Sequence, residues 1–234
     1  MPPVATKTLH RLAPSPGLAD VSGLDMPPGF PIPNTLPVMV LSDCHVFPGS
    51  VFPLFIFEPR YRAMLADTLA ANRMFCIGNR IPGAPDSSVS PADIAPVSTA
   101  GLVRACIENP DGTSNLILEG VSRIRFTGWF EPKPYPSATV TLLESTDSDP
   151  EKSRNLSDTL VELVNSRFPP HPSSATKKSV LSGLQPGQVA DFVAQNYLHD
   201  FTSKQQILET ADTPARLELT LCLLHDTLSR EEPP

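Results

Sequence analysis

The adjacent residues Cys44 and His45 have the side chains of a thiol nucleophile and its general base. Neighbouring residues on a strand point to opposite faces, so the two side chains meet only if the strand breaks at this point. The other histidines stand singly along the sequence: His10, His171, His199 and His225. We therefore favour packing or solvated roles for these residues, and a hydrolase built on Cys44 is the disfavoured hypothesis.

Motifs for bound cofactors and for common hydrolases do not occur in the sequence. It has no GxxxxGK(S/T) phosphate loop, no GxGxxG, no HExxH and no GxSxG. The sequence therefore predicts no catalytic residue, no metal site and no cofactor.

The four cysteines form no CxxC pair, which excludes a zinc ribbon and a thioredoxin-type motif. They are Cys44, Cys76, Cys106 and Cys222. Four cysteines are enough for two disulfides. However, three of them lie in apolar strand-like runs, so we expect small buried hydrophobic residues in a reducing compartment.

Net charge and hydropathy restrict the class of partner. The chain has 234 residues and a formal net charge of −7, and its longest basic run is Lys177–Lys178. Contacts to nucleic-acid phosphates need clustered Lys and Arg, so this balance argues against nucleic acid. No apolar run reaches the roughly 18 residues of a membrane span, and the N-terminus lacks a secretory apolar core. We expect a cytoplasmic protein that does not bind membranes.

The densest polar group comprises Glu58, Arg60, Tyr61 and Arg62, next to an apolar run. Two interpretations are open. These residues either form the rim of a binding surface, or an ion pair and cap that fix a strand–helix corner. We favour the ion pair. Pro59 suits the first position of the helix that follows, because its missing N–H costs nothing there.

The segment 46–61, VFPGSVFPLFIFEPRY, overlaps this polar group and contains four of the eleven phenylalanines. They are Phe47, Phe52, Phe55 and Phe57. Pro48–Gly49 indicates a turn. The run from Val51 to Phe57 is apolar at every position, which predicts a strand covered on both faces. One of the two covers is supplied either by the protein itself or by a bound partner.

The rest of the chain divides into three regions by its patterns. Residues 1–35 are rich in Pro, Ala, Ser and Gly and predict a flexible arm. Residues 36–148 predict six or seven short strands with one inserted helix, a turn at Asn109–Gly112 and a strand break at Gly120. Residues 149–230 predict a helical bundle, with helix starts at Asp149–Pro150, Pro186, Thr202 and Thr213–Pro214. The expected fold class is α+β.

Several segments, in the same order, resemble a known family. The segment 36–65, LPVMVLSDCHVFPGSVFPLFIFEPRYRAML, is similar to the opening of the N-terminal, substrate-binding domain of Lon-type ATP-dependent proteases. Further similar segments follow at 101–112, 118–126, 188–197, 204–209 and 216–224. Cys44 and His45 differ from the aliphatic residues usual in that family, and the Pro-rich arm is additional.

The resemblance implies a PUA-like β-barrel followed by a helical bundle, and a domain that recognises unfolded or damaged polypeptides. It covers no AAA+ or serine–lysine protease module, so we expect a non-catalytic, stand-alone binding module or an adaptor for a protease or chaperone. The candidate substrate-binding residues are Phe47, Phe52, Phe55, Phe57, Glu58, Arg60 and Tyr61. The alternative is an RNA-binding protein that uses the PUA-like barrel, which the net charge disfavours. The sequence leaves the oligomeric state open.

Overall fold

The computed structural model describes residues 31–86, 89–130, 133–168, 181 and 183–231. The predicted arm therefore lies almost entirely outside the described residues. The chain from Pro33 to Pro234 forms one compact unit.

In the described part of the chain, five of the six strands form a closed barrel. Their order in the sheet is β2-β5-β4-β3-β1-β6, and β6 also pairs with β5, which closes the ring. Strand β1 runs parallel to β3, and all other pairs are antiparallel. The strands are β1 Thr35–Ser42, β2 Val51–Ile56, β3 Met74–Arg80, β4 Val97–Glu108, β5 Ser114–Phe130 and β6 Ser137–Leu142. The predicted barrel is confirmed.

Strand β5 is long enough to pair with three other strands. It pairs with β4 along one edge, and along its other edge first with β2 and then with β6. The predicted strand break at Gly120 is wrong, because β5 continues through it with only a register shift against β4. Position 120 requires glycine because the backbone of β5 lies close to the backbone of Phe47 there. A Cβ atom there would lie 2.2 Å from the carbonyl oxygen of Phe47.

The turn at Gly49 is fixed to β5 by this approach. Gly49 N–H donates to the Gly120 carbonyl over 2.8 Å, and Gly120 N–H donates to the Ser50 carbonyl over 2.9 Å. Gly49 has φ +77°, a conformation that glycine adopts without strain. The turn therefore sets where β2 begins.

The described residues include α1 Pro59–Ala70, α2 Pro150–Arg167, α3 Pro186–Tyr197, α4 Phe201–Glu209 and α5 Thr213–Glu231. The predicted N-cap of α2 is confirmed, because the Asp149 carboxylate accepts from Lys152 N–H over 3.0 Å. The predicted capping box at Thr202 is wrong. Asp200 caps α4 instead, and its carboxylate accepts from Ser203 N–H over 2.7 Å.

Two hydrophobic clusters form the interior. One fills the barrel, beneath α1. The other fills the bundle and includes Leu160, Val193 and Leu217, and it also contains Phe47 and Val97 from the strand-rich half. The α+β fold class is confirmed. The boundary near residue 148 stays a prediction, and the shared core leads us to expect that the two halves remain associated after a cut between them.

The cysteines are all free thiols. Cys44 and Cys76 are buried as expected and Cys106 is half-buried, whereas Cys222 is exposed on α5, against the expectation. Within the described residues, none of the helices combines the length and the apolar character that a membrane crossing requires.

Candidate functional site

Strand β2 alternates between an inward and an outward face. Ile56 is buried and Phe52 and Leu54 are half-buried, whereas Val51 and Phe55 are 46% and 48% exposed. The expectation that the protein itself supplies both covers is therefore wrong, whereas the alternative of a bound partner stays a prediction. A continuous apolar run is typical of two-sided burial, but β2 lies at an end of the sheet order and no described residue covers its outer face.

The exposed side chains of β2 continue across two more strands. Phe55 is opposite Asn115 of β5, which is opposite Ile107 of β4. Directly opposite residues share one face of an antiparallel sheet, so Phe55 and Ile107 belong to the same surface. Ile107 is 69% exposed. The next row joins Pro53, Ile117 and Ala105.

Phe57, just beyond β2, extends this surface. It is 52% exposed, and its ring stacks on that of Phe55 with centroids 5.9 Å apart. We name this surface the apolar face, after its apolar members Val51, Pro53, Phe55, Phe57, Ala105, Ile107 and Ile117. The polar side chain of Asn115 lies between Phe55 and Ile107 on this face. Ala105, Ile107 and Ile117 are not among the candidate residues predicted from the sequence. The signal that could have identified them was the pairing of two predicted strands through the Asn109–Gly112 turn.

Two ion pairs lie next to the apolar face. Glu58 and Arg60 are joined over 2.9 Å, and Arg104 forms an ion pair with Glu119, which lies opposite Val51. Each pair has one positive and one negative member, so the two pairs add no net charge. The site is consequently suited to apolar rather than charged ligands.

Two of the seven candidate residues lie in the interior. Phe47 is fully buried and packs in the bundle cluster. Tyr61 is buried in the barrel cluster, where its hydroxyl lies 3.1 Å from both the N–H and the carbonyl of Val40. Burial raises the pKa of Tyr61. Neither side chain offers surface to a partner in this structure.

The remaining five candidates lie at or next to the apolar face. Phe55 and Phe57 belong to it, and Phe52 packs against the barrel core on the inner side of β2. Glu58 and Arg60 form the ion pair that the sequence favoured, and the Arg60 guanidinium also lies 4.5 Å from the centre of the Tyr61 ring. The pair lies at the corner where β2 leads into α1. The expected cap is wrong, because the Glu58 side chain makes no cap hydrogen bond, and the role of the pair in fixing the corner stays a prediction.

Cys44 and His45 have different surroundings. Cys44 packs in the barrel cluster, and burial raises the pKa of its thiol to about 12. His45 Nε2 lies 3.1 Å from Gln205 Oε1, and burial followed by the charge of Lys204 lowers the imidazole pKa to about 4. A thiol this hard to ionise, without the imidazole as a partner, is a poor nucleophile. In the described part of the chain, no group of three or more His, Cys, Asp or Glu side chains has the arrangement of a metal site.

Comparison with known families decides the relationship. The family model described as "ATP-dependent protease La (LON) substrate-binding domain" matches residues 35–226. This chain belongs to the LON substrate-binding domain family. The match covers both the barrel and the bundle, including all three strands of the apolar face.

Relatives of this LON domain include full-length proteases. The Lon proteases of Desulfosudis oleivorans and Dictyoglomus thermophilum are both 30% identical to it, over 191 and 193 residues, which is 80% of this chain in each case. The chain spans about a quarter of the length of these relatives, 23% and 24% respectively.

A solved structure shares the fold. The N-terminal domain of a Mycobacterium avium complex Lon protease superposes with a TM-score of 0.63 at 18% sequence identity. The superposition covers 82% of this chain and 98% of that domain. The barrel followed by a helical bundle is therefore the fold of Lon N-terminal domains.

Proposed function

We propose that this LON domain binds exposed apolar segments of unfolded or damaged polypeptides through its apolar face. In this role it serves as a recognition module or as an adaptor for a protease or chaperone. The observation that supports the proposal most is the cluster of half-exposed side chains on paired strands, with Phe55, Phe57 and Ile107 at its centre.

An apolar surface of this kind has a physical reason to bind unfolded chains. Soluble proteins rarely expose contiguous apolar patches, and those that do use them for partners. The strands of the apolar face are held by their ladders, so the site loses little conformational entropy on binding. The unfolded segment loses more, and we expect micromolar or weaker affinity, about −8 kcal/mol at best.

The charge distribution supports an apolar ligand over a nucleic acid. The ion pairs Glu58–Arg60 and Arg104–Glu119 compensate their own charges beside the face, and the chain as a whole carries −7. Attraction between opposite charges is screened by salt, whereas burial of apolar surface is not. Binding should therefore persist at high salt.

The test is a titration of a labelled, reduced and unfolded model protein, at low and at high salt. The double variant Phe55→Ser/Ile107→Ser should weaken binding at least tenfold. Leu142→Ser is the matched control, because Leu142 is also half-exposed but lies on β6, outside the apolar face. We expect this control to bind like the wild type.

Two results contradict the proposal. One is the absence of binding at about 100 μM, well above the expected dissociation constant. The other is co-purified RNA that high salt removes, which favours the RNA-binding alternative. We also expect the same preparation to show neither peptidase nor ATPase activity.

A further inference from the structure

The hydrogen bonds of β2 reveal which of its backbone groups face away from the barrel. Gly120 N–H donates to Ser50, and the residues of β5 and β2 then pair in register from Val51–Glu119 onward. Backbone hydrogen bonds between antiparallel strands involve every second residue pair. The pairs that bond are therefore those of Phe52, Leu54 and Ile56 with β5.

The alternate residues direct their backbone groups to the other edge. These are Val51, Pro53 and Phe55, the same residues whose side chains belong to the apolar face. Pro53 independently supports the assignment of Val51, Pro53 and Phe55 to the outer edge. Proline has no N–H, so it is tolerated in a strand where its N–H would form no ladder bond. Among the residues that the structure describes, no strand pairs with this edge.

An open edge of this kind is chemically complementary to one class of ligand. It presents the N–H groups of Val51 and Phe55 and the carbonyl groups of Val51, Pro53 and Phe55 along one line. Only another extended backbone offers donors and acceptors at the matching spacing. A helical, globular or nucleic-acid ligand would leave these groups unmatched.

We propose that the polypeptide segment recognised by this domain adds to the outer edge of β2 as a further, antiparallel strand. The inference rests on the proposed function and specifies its geometry. The backbone of the segment pairs with Val51, Pro53 and Phe55. Its side chains opposite these residues lie on the apolar face, beside Phe57 and in the row that leads to Ile107.

This geometry explains how the site accepts many sequences. The backbone hydrogen bonds are independent of sequence, and the neutral, apolar surroundings require only that every second side chain be apolar. Pro53 removes one donor from the middle of the edge. That gap weakens a long, regular pairing with a second copy of the chain, while the peptide N–H opposite it still reaches the Pro53 carbonyl.

The geometry predicts which amide groups of the ligand are essential. Opposite Val51 and Phe55, the residues of an antiparallel strand have side chains on the apolar face and direct their own N–H groups towards β2. In a peptide of alternating valine and serine, the valine N–H groups should therefore bond to the protein. The serine N–H groups should point to solvent.

Three synthetic peptides test this with the complete chain. One is the unmodified valine–serine peptide, the second is N-methylated at its valines, and the third carries as many N-methyl groups at its serines. We expect the valine-methylated peptide to bind at least tenfold more weakly than the serine-methylated one, which should remain close to the unmodified peptide. Equal affinities, or a loss confined to the serine-methylated peptide, overturn the antiparallel strand.

A pair of protein variants tests the same contact from the other side. Val51→Pro removes an outward N–H without removing a bond to β5, and Val51→Ala shortens the side chain but keeps the N–H. We expect unchanged melting temperatures for both and a larger loss of peptide affinity for Val51→Pro. Equal affinities of the two variants overturn the role of the backbone.

The outcomes separate this inference from the proposed function. If the unmodified peptide and the unfolded model protein both fail to bind, the proposed function is wrong. If they bind and methylation at either set of residues has the same effect, polypeptide binding stands and strand addition is wrong.

Discussion

Arg123 of β5 and Asp191 of α3 form a buried ion pair that joins the barrel to the helical bundle. Both side chains are at least 95% buried, and Arg123 Nη1 donates to Asp191 Oδ2 over 2.9 Å in a bidentate contact. Arg123 Nε also donates to the Leu208 carbonyl. The second cation, Arg216, lies 3.4 Å from the same carboxylate. One carboxylate thus lies against two buried guanidinium groups, and Asp147 and Asp212 add to the negative charge around Arg216.

Asp191→Asn should therefore destabilise the protein strongly. The amide keeps the shape of the side chain but removes the counter-charge of Arg123 and the nearest carboxylate of Arg216. Loss of one partner of a buried pair typically costs about 3–5 kcal/mol. Chemical denaturation should show this loss as a single transition, because the pair joins the two halves. Glu58→Gln is the control. Its ion pair with Arg60 is about one-third exposed, and its loss should have a much smaller effect. Similar effects of the two substitutions would contradict the role given to Asp191.

The free energy of unfolding should decrease in acid, because the folded protein disfavours protonation of His45. Burial and the charge of Lys204 lower its pKa in the folded protein to about 4, against an ordinary value of 6.5. Between these values the unfolded chain binds more protons than the folded one, so stability is complete above about pH 6.5 and declines as the pH falls towards 4. The slope reaches at most about 1.4 kcal/mol per pH unit.

His45→Gln should flatten that part of the pH profile, because glutamine does not titrate and retains a donor for Gln205 Oε1. The check is the free energy of unfolding at several pH values between 4 and 7 for the two proteins. Parallel profiles would show that another group is responsible.

Gly120→Ala should destabilise the fold far more than Gly128→Ala, although both glycines lie on β5. A Cβ at Gly120 would lie 2.2 Å from the Phe47 carbonyl oxygen, which belongs to a hydrogen-bonded turn and cannot simply rotate away. At Gly128 the nearest atom, Thr139 Oγ1, would be 3.5 Å away, an ordinary contact. We expect a loss of about 3 kcal/mol or more at Gly120. Equal melting temperatures of the two variants would contradict the close approach.

Arg60→Ala should affect stability more than binding. Arg60 pairs with Glu58 and covers the Tyr61 ring, and partly exposed contacts of this kind contribute roughly 1 kcal/mol. A loss of that size lowers the melting temperature of a chain this long by about 2–4 °C. Peptide affinity of the folded variant should be nearly unchanged. Full thermal stability with lost affinity would instead make Arg60 a binding residue.

Local signals in the sequence were sufficient for the elements. The Asn109–Gly112 turn, in which Gly112 N–H donates to the Asn109 carbonyl, depends on four consecutive residues. The Asp149 cap and the helix start at Pro59 depend on similarly short segments. The ion pair between Glu58 and Arg60 spans two positions and was also predicted. Interactions of this range depend on few residues, so the sequence predicts many of them. The equally short capping-box signal at Thr202 failed, because Asp200 caps that helix instead.

Only the tertiary structure decided which apolar residues remain exposed. Phe47 and Phe55 belong to the same apolar segment, yet Phe47 is fully buried in the bundle cluster and Phe55 is half-exposed on β2. The reason is that burial depends on what packs against each face, and the helical residues in the cluster of Phe47 lie more than 100 positions away in the sequence. The apolar face forms because β5 aligns Ile107 of β4 with Phe55 of β2 in one row. No sequence pattern within β2 indicates this register.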